Sequence, residues 1–295
     1  MDKLRTSFII LFVLAFIWGS SFILMKRGLE VFDFMQVASL RISLTFLVFS
    51  PIIIKALKSL KKKHVIPLIL TSFLGNGIPA FLFTKGQTQL DSSFVGILNA
   101  TVPLFTIILS HYFFKINLNK ANFFGVIIGF FGVLILFIGG ISAENYFNPF
   151  VFYILLATFC YAISINIINK YFHEFNPLHL ASLAFFLIGP PSIIYLLSTD
   201  FLQIFSTNQN SFESFTYIAI LAIFGTALAS VLFYKLVIIS STIFASYITY
   251  LIPIVALFWG LIDSENIDNH EILGCVVILS GIYLANFKSK KIIQK

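Results

Sequence analysis

Charge is what this chain has least of. Its 19 basic and 12 acidic residues make up 11% of 295 positions, where a soluble chain of this size carries roughly a quarter. Too few charges are present to cover a water-exposed surface, and mean hydropathy is +0.98. Cysteine is nearly missing as well. Cys160 and Cys275 both fall inside apolar runs, which excludes a disulfide framework and fits two small core residues. Long polar connections are also lacking, so a soluble domain or a nucleotide-binding domain has no room. The motifs of enzymes are missing too. There is no GxxxxGK[ST] loop, so ATP could act only through a separate partner. There is no HExxH, no GxSxG and no pair of aspartate-rich motifs for magnesium diphosphate. Neither an enzyme nor a cofactor is expected.

What is there is apolar. Residues of hydrophobic type form 59% of the chain, with 37 phenylalanines. A bilayer core of about 30 Å needs roughly 20 apolar residues in a helix. On that ruler ten spans are expected, near 7–25, 34–54, 65–86, 92–114, 121–140, 149–170, 177–198, 215–237, 241–262 and 270–287. The fold class is therefore an all-α integral membrane protein. Met1 to Arg5 and the apolar run behind them resemble a signal peptide. The run continues to Met25 without a small-x-small cleavage site, so it is read as a retained first span.

Basic residues collect on cytoplasmic loops. With the N-terminus inside, alternating spans put 15 of the 19 basic residues on the inner side, leaving Lys26, Arg27 and Lys85 outside and Arg41 within a span. Acidic residues fall ten outside and two inside, the two being Asp2 and Glu174. Both termini are expected in the cytoplasm, in a cell (inner) membrane. The cluster from Lys58 to Lys63 is read as a juxtamembrane anchor on anionic headgroups rather than a nucleic-acid site. Asp263, Glu265, Asp268 and Glu271 fit no calcium loop and are read as the acidic counterpart of that sorting. No metal or nucleic acid is expected as a partner.

The chain also repeats itself. A shift of 150 positions sets Gly75 on Gly225, Leu82 on Leu232, Phe83 on Phe233, Lys85 on Lys235 and Pro103 on Pro253. A shift of 149 sets Gly125 on Gly274 and Gly132 on Gly281; a shift of 143 sets Ala38-Ser39-Leu40 on Ala181-Ser182-Leu183 and Trp18 on Tyr161. A period near half the chain indicates duplication. Five spans per copy is an odd number, so the copies are expected to be two inverted five-helix repeats, residues 1–142 and 143–295, an arrangement typical of transporters.

Polar groups inside spans are costly and tend to face a bundle interior or a watery cavity. Trp18-Gly-Ser-Ser21 lies about twelve residues into the first span, roughly 17 Å deep at 1.5 Å per residue. Either Trp18 lines a cavity, with Ser20 or Ser21 offering hydrogen bonds, or the stretch serves close packing with its serines bonded to their own helix. Arg41 lies some 10 Å below the outer end of the second span. It faces a substrate pathway or gate, snorkels outward, or caps carbonyls. Gln36, nearer the surface, is a candidate for an outer vestibule. Asn99 and Thr101 precede Pro103, as Thr249 and Tyr250 precede Pro253. Each proline frees a carbonyl four residues back, either as a substrate-level interruption or as a plain kink. Asn76, Pro79, Thr226 and Tyr234 in the third and eighth spans, with Tyr161, Ser164, Asn166 and Asn169 in the sixth, complete the intramembrane polar set. His111, beside Tyr112, is read as interfacial. The fifth and tenth spans, apolar and rich in glycine, are expected to be peripheral supports.

Trp18-Gly-Ser-Ser-Phe22, Arg41 after Gln36, the stretch from Gly96 to Pro103 leading to Gly125 and Gly132, and the second copy ending at Gly274 and Gly281 together resemble the drug/metabolite transporter superfamily, in its EamA-type ten-helix form. The resemblance covers the whole chain. It implies two inverted halves, cytoplasmic termini, a cavity lined by spans one to four and six to nine, and transport of amino acids, other small metabolites or drugs, often outward. Tyr161-Ala-Ile-Ser164 and Ala184 depart from the first copy's tryptophan motif and Arg41, so the halves are not expected to touch substrate alike. The expected function is a secondary transporter exporting a small metabolite, working in the lipid bilayer and compatible with a homodimer without requiring one. The alternative is a lipid-handling protein or membrane-embedded enzyme.

Overall fold

The structure, a computed structural model, describes residues 3–90, 92–115, 120–137, 148–262 and 269–287. Among them every regular element is helical. In chain order these are α1 (Lys3–Leu29), α2 (Phe34–Leu57), α3 (Lys62–Gln87), α4 (Ser92–Asn99), α5 (Val102–Tyr112), α6 (Lys120–Phe137), α7 (Val151–Tyr171), α8 (Pro177–Ser198), α9 (Phe201–Thr207), α10 (Ser211–Ile239), α11 (Thr242–Ser246), α12 (Ile248–Ile262) and α13 (Asn269–Phe287). Six of them (α1, α2, α3, α7, α8 and α10) are long and apolar enough to cross a bilayer. The stretches 102–112, 120–135, 242–255 and 272–284 are shorter apolar helix. Helix is the expected answer for these residues, because a backbone in hydrocarbon must satisfy its polar groups within its own segment.

The surface is turned inside out relative to a soluble protein. Phe12, Phe124, Phe131 and Phe152 are exposed, while Gln36, Thr45, Thr106 and Asn166 are sealed from solvent. Apolar exposure on this scale fits lipid as the surrounding medium.

Helix starts follow local chemistry. At α2 the Asp33 carboxylate accepts from the backbone N–H of Met35 at 2.6 Å and Gln36 at 3.0 Å, and Gln36 Oε1 accepts from the Asp33 N–H. This reciprocal box satisfies donors that a helix start leaves unpaired. At α8, 143 residues on, Asn176 caps Leu178 and His179 in the same way, with Pro177 in the first turn.

Two features differ from the sequence reading. The expected fourth span is interrupted at Ala100–Thr101, and Pro103 sits in the first turn of α5, where its missing N–H costs nothing. Its counterpart Pro253 lies inside α12 instead, and the second copy is interrupted at Tyr247. The prolines are therefore not matched breaks, and under the 150-residue shift the two interruptions lie three residues out of register. The polar connection after Asp200 also folds, as α9. Phe201 and Phe205, one helical turn apart, pack on Phe32 at 5.2 Å and Phe215 at 5.3 Å.

Packing crosses between the two sequence copies. α1 packs on α10 and α12, and α7 packs on α3 and α5. Counterparts also pair directly, α2 with α8 and, most extensively, α6 with α13. The last pair meets on glycine. A Cβ on Gly132 would lie 2.6 Å from the Ile278 backbone nitrogen, and one on Gly281 would lie 2.6 Å from that of Gly129. Only glycine permits so close a backbone approach.

Candidate functional site

Both α3 and α10 widen into π-helix part-way along, at Phe73–Gly77 and Leu221–Leu228. The two segments coincide under the 150-residue shift: Gly75-Asn76 corresponds to Gly225-Thr226. A π-helical segment displaces hydrogen bonds by one residue and recurs at functional positions. In α10, side chains supply donors to its carbonyls: Trp18 Nε1 of α1 donates to Gly225 O at 3.0 Å, Thr45 Oγ1 of α2 to Ala222 O at 3.1 Å, and Thr226 Oγ1, within the segment itself, to Leu221 O at 3.0 Å. Both glycines are also contact points across the copies. A Cβ on Gly75 would collide with Ser164, and one on Gly225 would lie 2.7 Å from Ser21 Oγ. Ser21 and Ser164 are themselves 143 residues apart.

Between these segments lies a cavity. The space open to the centres of water-sized molecules is about 110 Å³, several times the ~10–15 Å³ that one water needs. Its wall is drawn from α1, α2, α3, the end of α4, the start of α5, α7, α8, α10, α11 and α12, and among the described residues none comes from α6 or α13. Helices α6 and α13, expected as the fifth and tenth spans, thus contribute no described residue to the cavity. Among the described residues the wall contains no carboxylate.

Aromatic pairs flank the space. Trp18 lies against Phe233 with centroids 5.3 Å apart, and Tyr161 stacks on Phe83 at 5.7 Å and 27°. These pairs map onto each other by the two shifts, Trp18 onto Tyr161 and Phe83 onto Phe233. Each joins the first helix of one copy to the third helix of the other.

Arg41 reaches the cavity. Its Nε donates to Thr226 Oγ1 at 2.6 Å. Among the described residues the ion pairs are Arg27–Glu30 and His173–Glu174, so no carboxylate pairs with Arg41. It neither snorkels nor caps a carbonyl. Across the cavity, Asn76 Nδ2 donates to Tyr234 Oη at 2.6 Å. Asn99 and Thr249 line the wall from the interrupted spans; Thr249 Oγ1 donates to Ser246 O at 2.9 Å, while Asn99 Oδ1 and Ser164 Oγ are buried without a partner. Ser21 lines the wall with its hydroxyl donating to Ile17 O at 2.7 Å.

Other expected residues lie elsewhere. Ser20 Oγ donates to Phe16 O at 2.9 Å, beside Gly19, whose Cα faces Val255, so this half of the motif serves packing. Gln36 caps its helix and donates from Nε2 to Asp200 Oδ1 at 2.8 Å. Thr101 bridges to Thr158 Oγ1 at 3.0 Å. Asn166 is sealed among side chains, accepting from Ser110 at 2.6 Å. Tyr250 donates to Val126 O at 2.7 Å and covers Gly129. Pro103 and Pro253 are buried behind Val102 and Ile252, which do reach the cavity. Conversely, Phe83 and Phe233 reach the cavity without having been singled out as site residues. Their signal was available in the repeat itself, since Phe83, Phe233, Gly75 and Gly225 are its register marks.

The EamA-like transporter family matches this sequence twice, over residues 5–138 and 148–287. The chain belongs to the EamA-like transporter family. Three relatives are similar over nearly their full length. An uncharacterized transporter of Archaeoglobus fulgidus is 25% identical across 90% of this chain and 94% of its own. The uncharacterized transporter YoaV of Bacillus subtilis is 23% identical across 92% and 93%. The uncharacterized inner membrane transporter YedA of Escherichia coli K12 is 26% identical across 93% and 88%. One crystal structure superimposes with a TM-score of 0.71 over 98% of this chain and 99% of its own; at 12% identity this shows a shared fold alone. This EamA-family chain is thus a multi-pass membrane transporter and not an enzyme, as the resemblance implied.

Proposed function

We propose that this EamA-family chain is a secondary transporter that exports a small polar or amphipathic metabolite across the cytoplasmic membrane. It works by alternating access between two inverted five-helix halves, residues 1–142 and 143–295. The observation that carries the reading is the crossed packing around the cavity. Trp18 on Phe233 and Tyr161 on Phe83 tie the first helix of each half to the third helix of the other. A rocking motion of one half against the other would break one such pair while keeping the other. The six long helices and four shorter apolar stretches support a reading with ten spans, on which the distribution of basic residues would put both termini in the cytoplasm.

Cargo passes Trp18, Ser21, Arg41, Asn76, Asn99 and Tyr234. The cavity lies within one chain, so a homodimer is not needed for the pathway. Among the described residues no carboxylate in its wall is available as the usual proton relay, which favours exchange or downhill export over proton antiport.

The test is flux from liposomes holding the purified chain and a broad mixture of metabolites retained by protein-free liposomes. Selective loss of some of them is expected, at a rate indifferent to an imposed pH gradient. Gradient-driven accumulation would refute uncoupled transport. No loss of any solute would refute the reading of the cavity as a transport site.

A further inference from the structure

We infer that the cargo is a monoanion: a small molecule with one carboxylate-like group, at least one hydrogen-bond donor, and an apolar body, rather than a zwitterion or a cation. This rests on the cavity being the transport site. Arginine stays ionised under all physiological conditions, and an unmatched charge in a membrane interior is costly unless a counter-charge or water meets it. Among the described residues nothing acidic meets Arg41.

The guanidinium is held in a defined orientation. Thr226 Oγ1 accepts the Nε hydrogen at 2.6 Å and passes its own hydrogen to Leu221 O at 3.0 Å. That hydroxyl is therefore fixed as an acceptor towards Arg41. The Nη edge is left for a two-point hydrogen bond, the geometry in which arginine best recognises a carboxylate.

The second half of the argument is independent of Arg41. Asn99 is 6% exposed and Ser164 2%. Both line the same cavity, and Asn99 Oδ1 and Ser164 Oγ have no hydrogen-bond partner. Buried polar atoms are nearly always paired, and Asn99 Oδ1 can only accept. It calls for a hydroxyl or N–H on the cargo. What the wall does not offer is a carboxylate for an ammonium. A zwitterion would satisfy Arg41 while bringing its own unmatched positive charge; a monoanion leaves the filled cavity neutral. The aromatic pairs around Trp18 and Tyr161 accommodate the apolar body.

The test uses the full chain in liposomes loaded with a defined metabolite mixture spanning net charges of −1, 0 and +1. The mixture includes 2-hydroxyisocaproate and leucine, which share a carbon skeleton and differ in the group beside the carboxylate. Efflux is read by mass spectrometry. Wild-type protein should release 2-hydroxyisocaproate and other monoanions at least about tenfold faster than leucine. Arg41→Gln should lose that release, whereas Arg41→Lys, which keeps the charge without the planar fork, should retain part of it. Asn99→Ala should weaken release of the hydroxy acid more than that of its 2-deoxy analogue, isocaproate. Faster release of leucine or of cations, or monoanion release that survives in folded Arg41→Gln, would overturn the inference while leaving the transport reading standing. Release of nothing at all would overturn both.

Discussion

The Trp18 indole donates its hydrogen to the Gly225 carbonyl at 3.0 Å, fastening the middle of α1 to the π-helical part of α10. The indole does two things at once, closing this bond and walling the cavity beside Phe233. Trp18→Phe keeps the ring contact and loses the bond. It should cost about 0.5–1.5 kcal/mol, seen as a drop of a few degrees in thermal unfolding in detergent, and should slow flux by more than that loss explains. Unchanged flux with lowered stability would assign the indole to packing alone.

Asn76 and Tyr234 make the corresponding connection from the other π-helical segment. Tyr234→Phe removes the acceptor at 2.6 Å and leaves the Asn76 amide with only a 3.4 Å bond to Thr71 O. Leaving a fully buried amide unsatisfied costs about 1–3 kcal/mol, and the half-buried Asn76 should cost less than that. Asn76→Ala with Tyr234→Phe should recover part of that loss, and a double-mutant cycle on unfolding midpoints measures the coupling. Additive effects would mean that the two groups do not act as a pair.

Gly281→Ala should destabilise without altering selectivity. Its methyl would meet the Gly129 nitrogen at 2.6 Å and the Gly125 carbonyl at 2.8 Å, both backbone atoms that move only if α6 and α13 separate. Overpacking of this kind costs about 1–3 kcal/mol. Since neither helix reaches the cavity, the ratio of fluxes for two solutes should stay at the wild-type value; a changed ratio would place these helices in the pathway.

Adjacent serines separate cavity from packing. In a background of Cys160→Ala and Cys275→Ala, Ser21→Cys should react with a water-soluble maleimide and be protected by transported solute. Ser20→Cys, which lies outside the wall, should show no solute protection. Equal protection at both positions would mean that the cavity is larger than its walls here indicate.

Much of this was open to reading in one dimension. Apolar length forces helices, because hydrocarbon offers no partner for a free backbone group. The repeat offsets already paired Trp18 with Tyr161 and Phe83 with Phe233, which in space become the two flanking aromatic pairs. Arg41 declared itself by cost alone, since a guanidinium mid-span has to face something polar. Less legible were Gln36, Asn166 and Tyr250. Their polar chemistry suits a cavity or a structural bond equally, and which one they serve depends on a neighbour far away in sequence: Asp200, Ser110 and Val126 respectively.

The family, the helical class and the duplicated plan were thus determined by the sequence itself, through hydropathy and internal register, which are properties of order along the chain. Tertiary structure decided where the helices widen, that Pro103 opens a helix while Pro253 lies inside one, and that Ser21 faces the cavity while Ser20 does not. Those outcomes hang on contacts between segments more than a hundred residues apart. A one-residue shift in a helix turns a side chain by about 100°, so only the packed arrangement says which neighbour it meets.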